Sequence, residues 1–418
     1  MTLFAMNARA LLLMTAVWLL PIASSGQVNN RLDAIQAIQQ GDMQLRLGNS
    51  EQALLSYTNA IQMDMGFADA YMKRASVLSR LGQHSQAMVD LDRALELNPY
   101  SEHIFDRRAK VKLLMNDSKG SLGEWDQALA LRPYDERLRE ARADALLILG
   151  RPADALVEID SLLLAELHDP LLHLKRGIAL LAMDDVSGAL AAFAEARRES
   201  PKLALAHDLE GVAYMRAQRY NDALDAFDLA IALDPACDLA WYNRGMVHTR
   251  MGNETLARLD IERALEISQD RPHVLFQRAL LRKRDGDLSG AAADYDRALE
   301  LAPDYLEAQY NRSVVRKYLG DHAGAFADVE RGLRDHPEDP AAWTLKGSLH
   351  LLYGEIGEAI TCFDRAISLD VDHAAAWYNR GIAYHIHYQP ELGCRDLRTA
   401  ADLGSNKALD AITYFCAY

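Results

Sequence analysis

An arginine followed sixteen residues later by an acid is the pattern in this chain best suited to do chemistry. It occurs as Arg74 with Asp90, Arg108 with Glu124, Arg142 with Glu158, Arg244 with Asp260, Arg278 with Asp294, Arg312 with Asp328 and Arg380 with Asp396. A guanidinium presents five donors in a planar fork, so such a residue either grips an anionic ligand or closes an internal ion pair. Regular recurrence favours the ion pair, because a ligand site should interrupt a pattern rather than obey it. Lys112, Arg282 and Arg316, one helical turn beyond an arginine, are spaced to share the same acids. Where the acid is missing, the arginine position holds Gln40, Arg176, Glu210 or Lys346.

The other reactive residues form no catalytic set. No GxSxG, HExxH, CxxC or GxxxxGK[ST] pattern occurs, so the chain is expected to be no enzyme, with no catalytic residues and no cofactor. His385 and His387 stand two apart and would point to different sides of a helix, whereas helical zinc pairs need a spacing of four. No metal site is expected there. The four cysteines, Cys237, Cys362, Cys394 and Cys416, are too few and too scattered for a disulfide framework or a zinc cage.

Composition narrows the partners. Half of the residues are hydrophobic, a quarter are charged and the formal net charge is −15, the balance of a folded acidic protein. Such a charge argues against nucleic acid and anionic membrane surfaces, which are held by clustered Lys and Arg. The N-terminus reads as an export signal over residues 1–26: one basic residue, Arg9, then the apolar run LLLMTAVWLLPI, then small residues, with cleavage expected between Ala23 and Gln27. The run is shorter than the roughly 17 apolar residues a membrane span needs, so no membrane insertion is expected after cleavage. An uncleaved anchor is the alternative. The expected location is the periplasm or the secreted space.

The arginine spacing belongs to a longer period. WYNRG at 241–245 returns at 377–381, with QYNRS midway at 309–313. Rows of 34 residues beginning at Ala34, 68, 102, 136, 170, 204, 238, 272, 306, 340 and 374 fit without insertion to Lys407, after a short lead-in at 27–33. One column runs Ala53, Ala87, Ser121, Ala155 and onward to Gly393, every entry small; the columns from Ala60 to Ala400, but for Leu162, and from Gly41 to Gly381 are small as well. Each row holds two apolar runs at helical spacing, split by a turn and often closed by proline. One hairpin cannot bury both its faces, so the rows must stack into an all-α solenoid.

These columns resemble the tetratricopeptide repeat family, most clearly in DLAWYNRGMVH and LDAFDLAIALDP. The resemblance implies a right-handed superhelical solenoid of about eleven helix hairpins, of the exported bacterial type, ended by a capping helix at 405–418 with Ser405 as its N-cap. It also places the first helices of the hairpins along a concave groove. Tyr242, Asn243, Arg250, Gln277, Lys283, Arg284, Tyr310, Asn311, Lys317 and Tyr318 then line that groove as a local basic and amide-rich patch. Amides can bond an extended peptide backbone and Lys or Arg can hold a carboxylate, so the patch suits an acidic or C-terminal peptide segment. The alternative is a solvated charged face. The same resemblance suggests that Cys394 and Cys416 fasten the cap by a disulfide in an oxidising compartment, the alternative being two small buried hydrophobes. The function expected is a non-enzymatic scaffold binding a peptide or protein partner. A structural subunit of an envelope or secretion-related assembly stands second, and an unrecognised enzyme third.

Overall fold

The computed structural model describes residues 25–165 and 168–416 and contains 23 α-helices and no strand among them. The expected export signal lies, but for its last two residues, outside the described residues. The chain divides into two compact units after Glu199.

The first unit holds α1 (Ser25–Arg46), α2 (Ser50–Met63), α3 (Ala68–Arg80), α4 (His84–Leu97), α5 (Glu102–Leu114), α6 (Ser118–Leu131), α7 (Glu136–Ile148), α8 (Pro152–Ala165), α9 (Pro170–Ala182) and α10 (Val186–Glu199). Residues 27–33, expected as a lead-in, are part of α1. The second unit holds α11 (Ala204–Arg216), α12 (Tyr220–Leu233), α13 (Asp238–Arg250), α14 (Glu254–Ile267), α15 (Pro272–Arg284), α16 (Leu288–Leu301), α17 (Leu306–Leu319), α18 (His322–Asp335), α19 (Pro340–Leu352), α20 (Ile356–Leu369), α21 (Ala374–Ile386), α22 (Pro390–Asp402) and α23 (Asn406–Phe415). In both units each odd-numbered helix packs on the next even one, which leans on the following hairpin.

The turn inside each hairpin explains the constant length. Backbone φ is positive at Gly48, Gly82, Asn116, Gly150, Asp184, Gln218, Gly252, Gly286, Gly320, Gly354 and Tyr388, one residue in every 34. The next amide then reaches back to an orphan carbonyl of the helix just ended, as Gln83 N–H does to Leu78 at 2.9 Å and Asn253 N–H to His248 at 2.8 Å. This is the left-handed cap that closes many helices. Its recurrence at asparagine, aspartate, glutamine and tyrosine shows that the hairpin geometry imposes the conformation.

Close packing explains the small columns. Ala53, Ala87, Ala155, Ala189 and Ala223 are wholly buried. A Cβ added at Gly177 would lie 2.2 Å from the Phe193 ring, and one at Gly347 would lie 2.5 Å from the Phe363 ring. Both rings are fully buried, so a first helix presses directly on an aromatic of its second helix.

All seven arginine–acid pairs form. Arg74 grips Asp90 with two bonds of 2.8 and 2.7 Å, Arg244 grips Asp260 at 2.8 and 2.6 Å, and Arg380 grips Asp396 at 2.6 and 3.1 Å. Arg108 holds Glu124, Arg278 holds Asp294, Arg312 holds Asp328 and Arg142 pairs with Glu158. Lys112, Arg282 and Arg316 share three of these acids at 2.6, 2.8 and 3.0 Å. The same arginines also reach sixteen residues backward, into the second helix of the preceding hairpin: Arg108 to Asp92, Arg244 to Asp228, Arg312 to Asp296 and Arg380 to Asp364, at 2.5 to 2.7 Å. Each of these four arginines thus ties its own hairpin and the one before it. Arg176 and Lys346, whose forward acid is absent, keep this backward tie to Asp160 and Glu330. A buried carboxylate held by a bidentate guanidinium is costly to unpair, which makes these residues structural.

Candidate functional site

In each unit the first helices of successive hairpins meet one another directly, α3 with α5 in the first and α11 with α13, α17 with α19 and α19 with α21 in the second. The side chains they exchange there define an inner face.

In the first unit this face is filled by ion pairs. Lys73 donates to both oxygens of Asp42 at 2.9 and 2.8 Å, and Tyr57 adds a third bond at 2.7 Å. Asp106 accepts from Lys110, Arg137 and the Trp125 indole at 2.9, 2.9 and 3.1 Å. Lys175 bridges Glu140 and Asp144 at 2.8 and 2.6 Å. Burial opposes ionisation of Asp42 and Asp106, yet these donors hold both carboxyls below the usual range. Each of these four cations has its acid, while exposed Arg107 donates instead to the Ser76 hydroxyl.

The second unit differs in the same columns. Where the first carries Lys73, Arg107 and Lys175, the second carries Asn243, Gln277, Asn311 and Asn379. Lys283, on the last turn of α15, donates to Asn311 Oδ1 on α17 at 2.8 Å, and Asn311 Nδ2 donates to the Glu307 carbonyl at 2.9 Å. Lys283 is half-buried and makes no ion pair among the described residues, and burial pushes its amine below the usual lysine range. Lys317 on α17 sits 4.5 Å over the ring of exposed Tyr318. Tyr242 packs edge-on against His273 with centroids 4.9 Å apart. Gln277 is half-buried and Arg250 exposed, and neither side chain makes a hydrogen bond in the described structure.

Three of the expected groove residues are turned to internal partners. Asn243 donates to Asp208 at 3.0 Å, Tyr310 donates to Asp339 at 2.9 Å, and Arg284 pairs with Glu254 at 3.2 Å. Asp339 also caps α19 through the Ala341 and Ala342 amides. Asp208, which the sequence reading passed over, is a buried acid in the column of Tyr242 and Tyr310. Burial raises its pKa despite the Asn243 bond. Asp106 and Glu140 stand in the same column, which otherwise holds mostly large apolar side chains, so these acids were the available signal. At the other end of the unit, Ser405 caps α23, and Cys416 just after it is joined to Cys394 of α22 by a disulfide; Cys237 and Cys362 are free.

Stacked hairpins of constant length, bolted by arginines and exposing a row of first-helix side chains, define an α-solenoid scaffold. Tetratricopeptide repeat family models match residues 174–236 and 209–272, a TPR repeat model matches 347–386 and a further tetratricopeptide repeat model matches 68–101. The chain is a tetratricopeptide repeat protein. No curated protein sequence matches it. Among solved structures it is similar to the APC/C hetero-tetramer Cut9–Hcn1, with a TM-score of 0.51 and 17% identity over 87% of this chain and 78% of that one. That likeness shows the fold. A tetratricopeptide repeat protein from Parabacteroides merdae gives a TM-score of 0.47 at 19% identity over 57% and 95%. YrrB, described as a TPR protein with an unusual peptide-binding site, gives 0.37 at 24% over 47% and 97%. No helix among the described residues is long and apolar enough to cross a membrane.

Proposed function

We propose that this protein is an exported, non-enzymatic scaffold whose second unit holds an extended peptide segment by its backbone and by a carboxylate, an acidic side chain or the C-terminus. The observation that carries this reading is Lys283, a half-buried amine bonded to an amide oxygen and facing no acid, on a face whose counterpart in the first unit leaves no such cation unpaired. A desolvated ammonium gains most from a carboxylate brought in by a ligand. The amides support the same reading. First helices pack roughly 10 Å apart and an extended strand advances about 3.3 Å per residue, so one amide per hairpin meets about every third peptide residue.

The test is fluorescence anisotropy with a set of labelled extended peptides, each made with a free and with an amidated C-terminus. Peptides bearing carboxylates are expected to bind wild-type protein and to lose at least about tenfold in affinity on Lys283→Met, the range for a charged hydrogen bond. Amidation separates a C-terminal carboxylate from an acidic side chain. Equal binding of carboxylate and neutral peptides, or no loss in the variant, would remove this site.

A further inference from the structure

The repeat pattern breaks at its last hairpin, and the break gathers three side chains of ligand type. In the second-helix column that elsewhere holds alanine or serine, α22 has Gly393. A Cβ there would lie 2.5 Å from Cδ2 and 2.8 Å from Nε2 of His385, so the glycine is the space the imidazole occupies. Phe415 flanks the ring, with centroids 5.0 Å apart. Held in this way, His385 Nε2 stands 3.5 Å from Cys394 Sγ and 3.9 Å from Cys416 Sγ. One residue comes from α21, one from α22 and one from the end of α23, and the three ligand atoms lie within 4.8 Å of one another. Among the described residues this is the one group of three such side chains placed to share an ion.

Tetrahedral zinc binds thiolate sulfur at about 2.3 Å and imidazole nitrogen at about 2.0 Å, which sets the sulfur-to-nitrogen separation near 3.5 Å. The imidazole already stands at about that distance from both sulfurs. The cysteine Cα atoms are 5.6 Å apart, near enough for both side chains to reach one ion by rotation about Cα–Cβ. We propose that His385, Cys394 and Cys416 bind a single soft divalent metal ion of the zinc class when the disulfide is reduced, leaving a fourth coordination position open. A phosphine reductant opens the S–S bond, is oxidised to its phosphine oxide with oxygen from water, and leaves two thiols. The metal then displaces one proton from each thiol to solvent and takes the Nε2 lone pair, with no change in its own oxidation state. The ion joins the end helix to α22 under reducing conditions, as the disulfide does under oxidising ones. The proposal does not depend on the peptide site.

Cobalt(II) titration of the full chain tests it. The phosphine-reduced protein is expected to bind one cobalt per chain, with thiolate-to-metal charge-transfer bands, the visible bands of tetrahedral cobalt and release of two protons. The oxidised protein, which keeps the Cys237 and Cys362 thiols, is expected to show none of these and so controls for adventitious thiol binding. His385→Ala should weaken cobalt at least about tenfold with unchanged helical circular dichroism, and Cys416→Ser should cut the charge-transfer intensity. Absence of charge-transfer bands in the reduced wild type, equal binding by the oxidised protein, or unaltered affinity in His385→Ala would each overturn the proposal.

Discussion

The inner faces of the two units are built on one backbone pattern and use it in opposite ways. In the first, a carboxylate answers Lys73, Lys110, Arg137 and Lys175, so the half-buried lysines of the face are neutralised from within, and exposed Arg107 rests on the Ser76 hydroxyl. In the second, the column that held cations holds amides, and Lys283 rests on one of them. The difference teaches that a repeat can keep its stacking while changing what it offers to solvent. Stacking depends on the small columns and the arginine ties, which neither unit gives up.

The comparison can be broken most severely at Asp106. Its side chain is 6% exposed and accepts from two cations and an indole. Asp106→Ala leaves the buried Trp125 N–H without its acceptor beside a small void, whereas Lys110 and Arg137, 53% and 49% exposed, can turn to water, so the cost is that of a lost charge-assisted bond, about 2–3 kcal/mol. Denaturant unfolding should show a loss of that size, with hydrogen exchange placing it in α5 to α7. A cost below about 1 kcal/mol would mean that the first unit's ion pairs are solvated decoration, and the contrast between the faces would lose its force.

Lys283 gives the next largest effect, and it has the opposite character. Lys283→Met should weaken carboxylate peptides by about 1.5–3 kcal/mol while leaving stability unchanged or slightly higher, since a half-buried charge without an acid is removed. The same residue sets a pH dependence. Its folded pKa lies below the ordinary 10.5, so the cost of the desolvated charge is present in full below the folded pKa and disappears as pH rises toward 10.5. Relative to Lys283→Met, the stability of the empty wild-type second unit should therefore rise across that alkaline window while its peptide affinity falls, because the neutral amine no longer attracts a carboxylate. The comparison with the variant is needed because burial raises the pKa values of Tyr242, Tyr295, Tyr305 and Tyr310, and their ionisation in the unfolded chain lowers the stability of both proteins alike at the same pH. The wild-type-minus-variant differences in affinity and in stability, measured from neutral to alkaline pH, should move in opposite directions.

The fold was legible because spacing alone carries it. Equal rows, three small columns and an arginine sixteen residues before an acid are all one-dimensional signals, and the helices and forward ion pairs follow from them. The backward ties to Asp92, Asp228, Asp296 and Asp364 had the same regularity but link adjacent hairpins, and a reading confined to one hairpin passes over them. The candidate site was legible in residue type and less so in partnership. Asn243, Tyr310 and Arg284 find Asp208, Asp339 and Glu254 on neighbouring hairpins or at helix starts. Which neighbour wins depends on side-chain reach and burial, and neither is encoded in a column. The same limit applies to His385: tested against a helical partner four residues away it offers nothing, yet the fold supplies its neighbours from two other helices.

The smallest expected effect comes from Lys73, and it decides whether the ion pairs of the first unit are more than surface chemistry. Lys73 and Asp42 are each about one-third exposed, at 30% and 32%, which places their pair between the buried contacts around Asp106 and ordinary solvated bridges. Solvent screening limits such a pair to about 0.5–1 kcal/mol. Lys73→Met should cost no more than that, because Tyr57 still donates to Asp42 and keeps the acid partly satisfied. It should also leave peptide affinity unchanged, since an already neutralised lysine has little left to offer a ligand. Measured beside Lys283→Met, the two variants give crossed results: the paired lysine affects stability and not binding, the unpaired one binding and not stability. Loss of peptide affinity in Lys73→Met would show that the groove extends into the first unit and that pairing does not silence a cation.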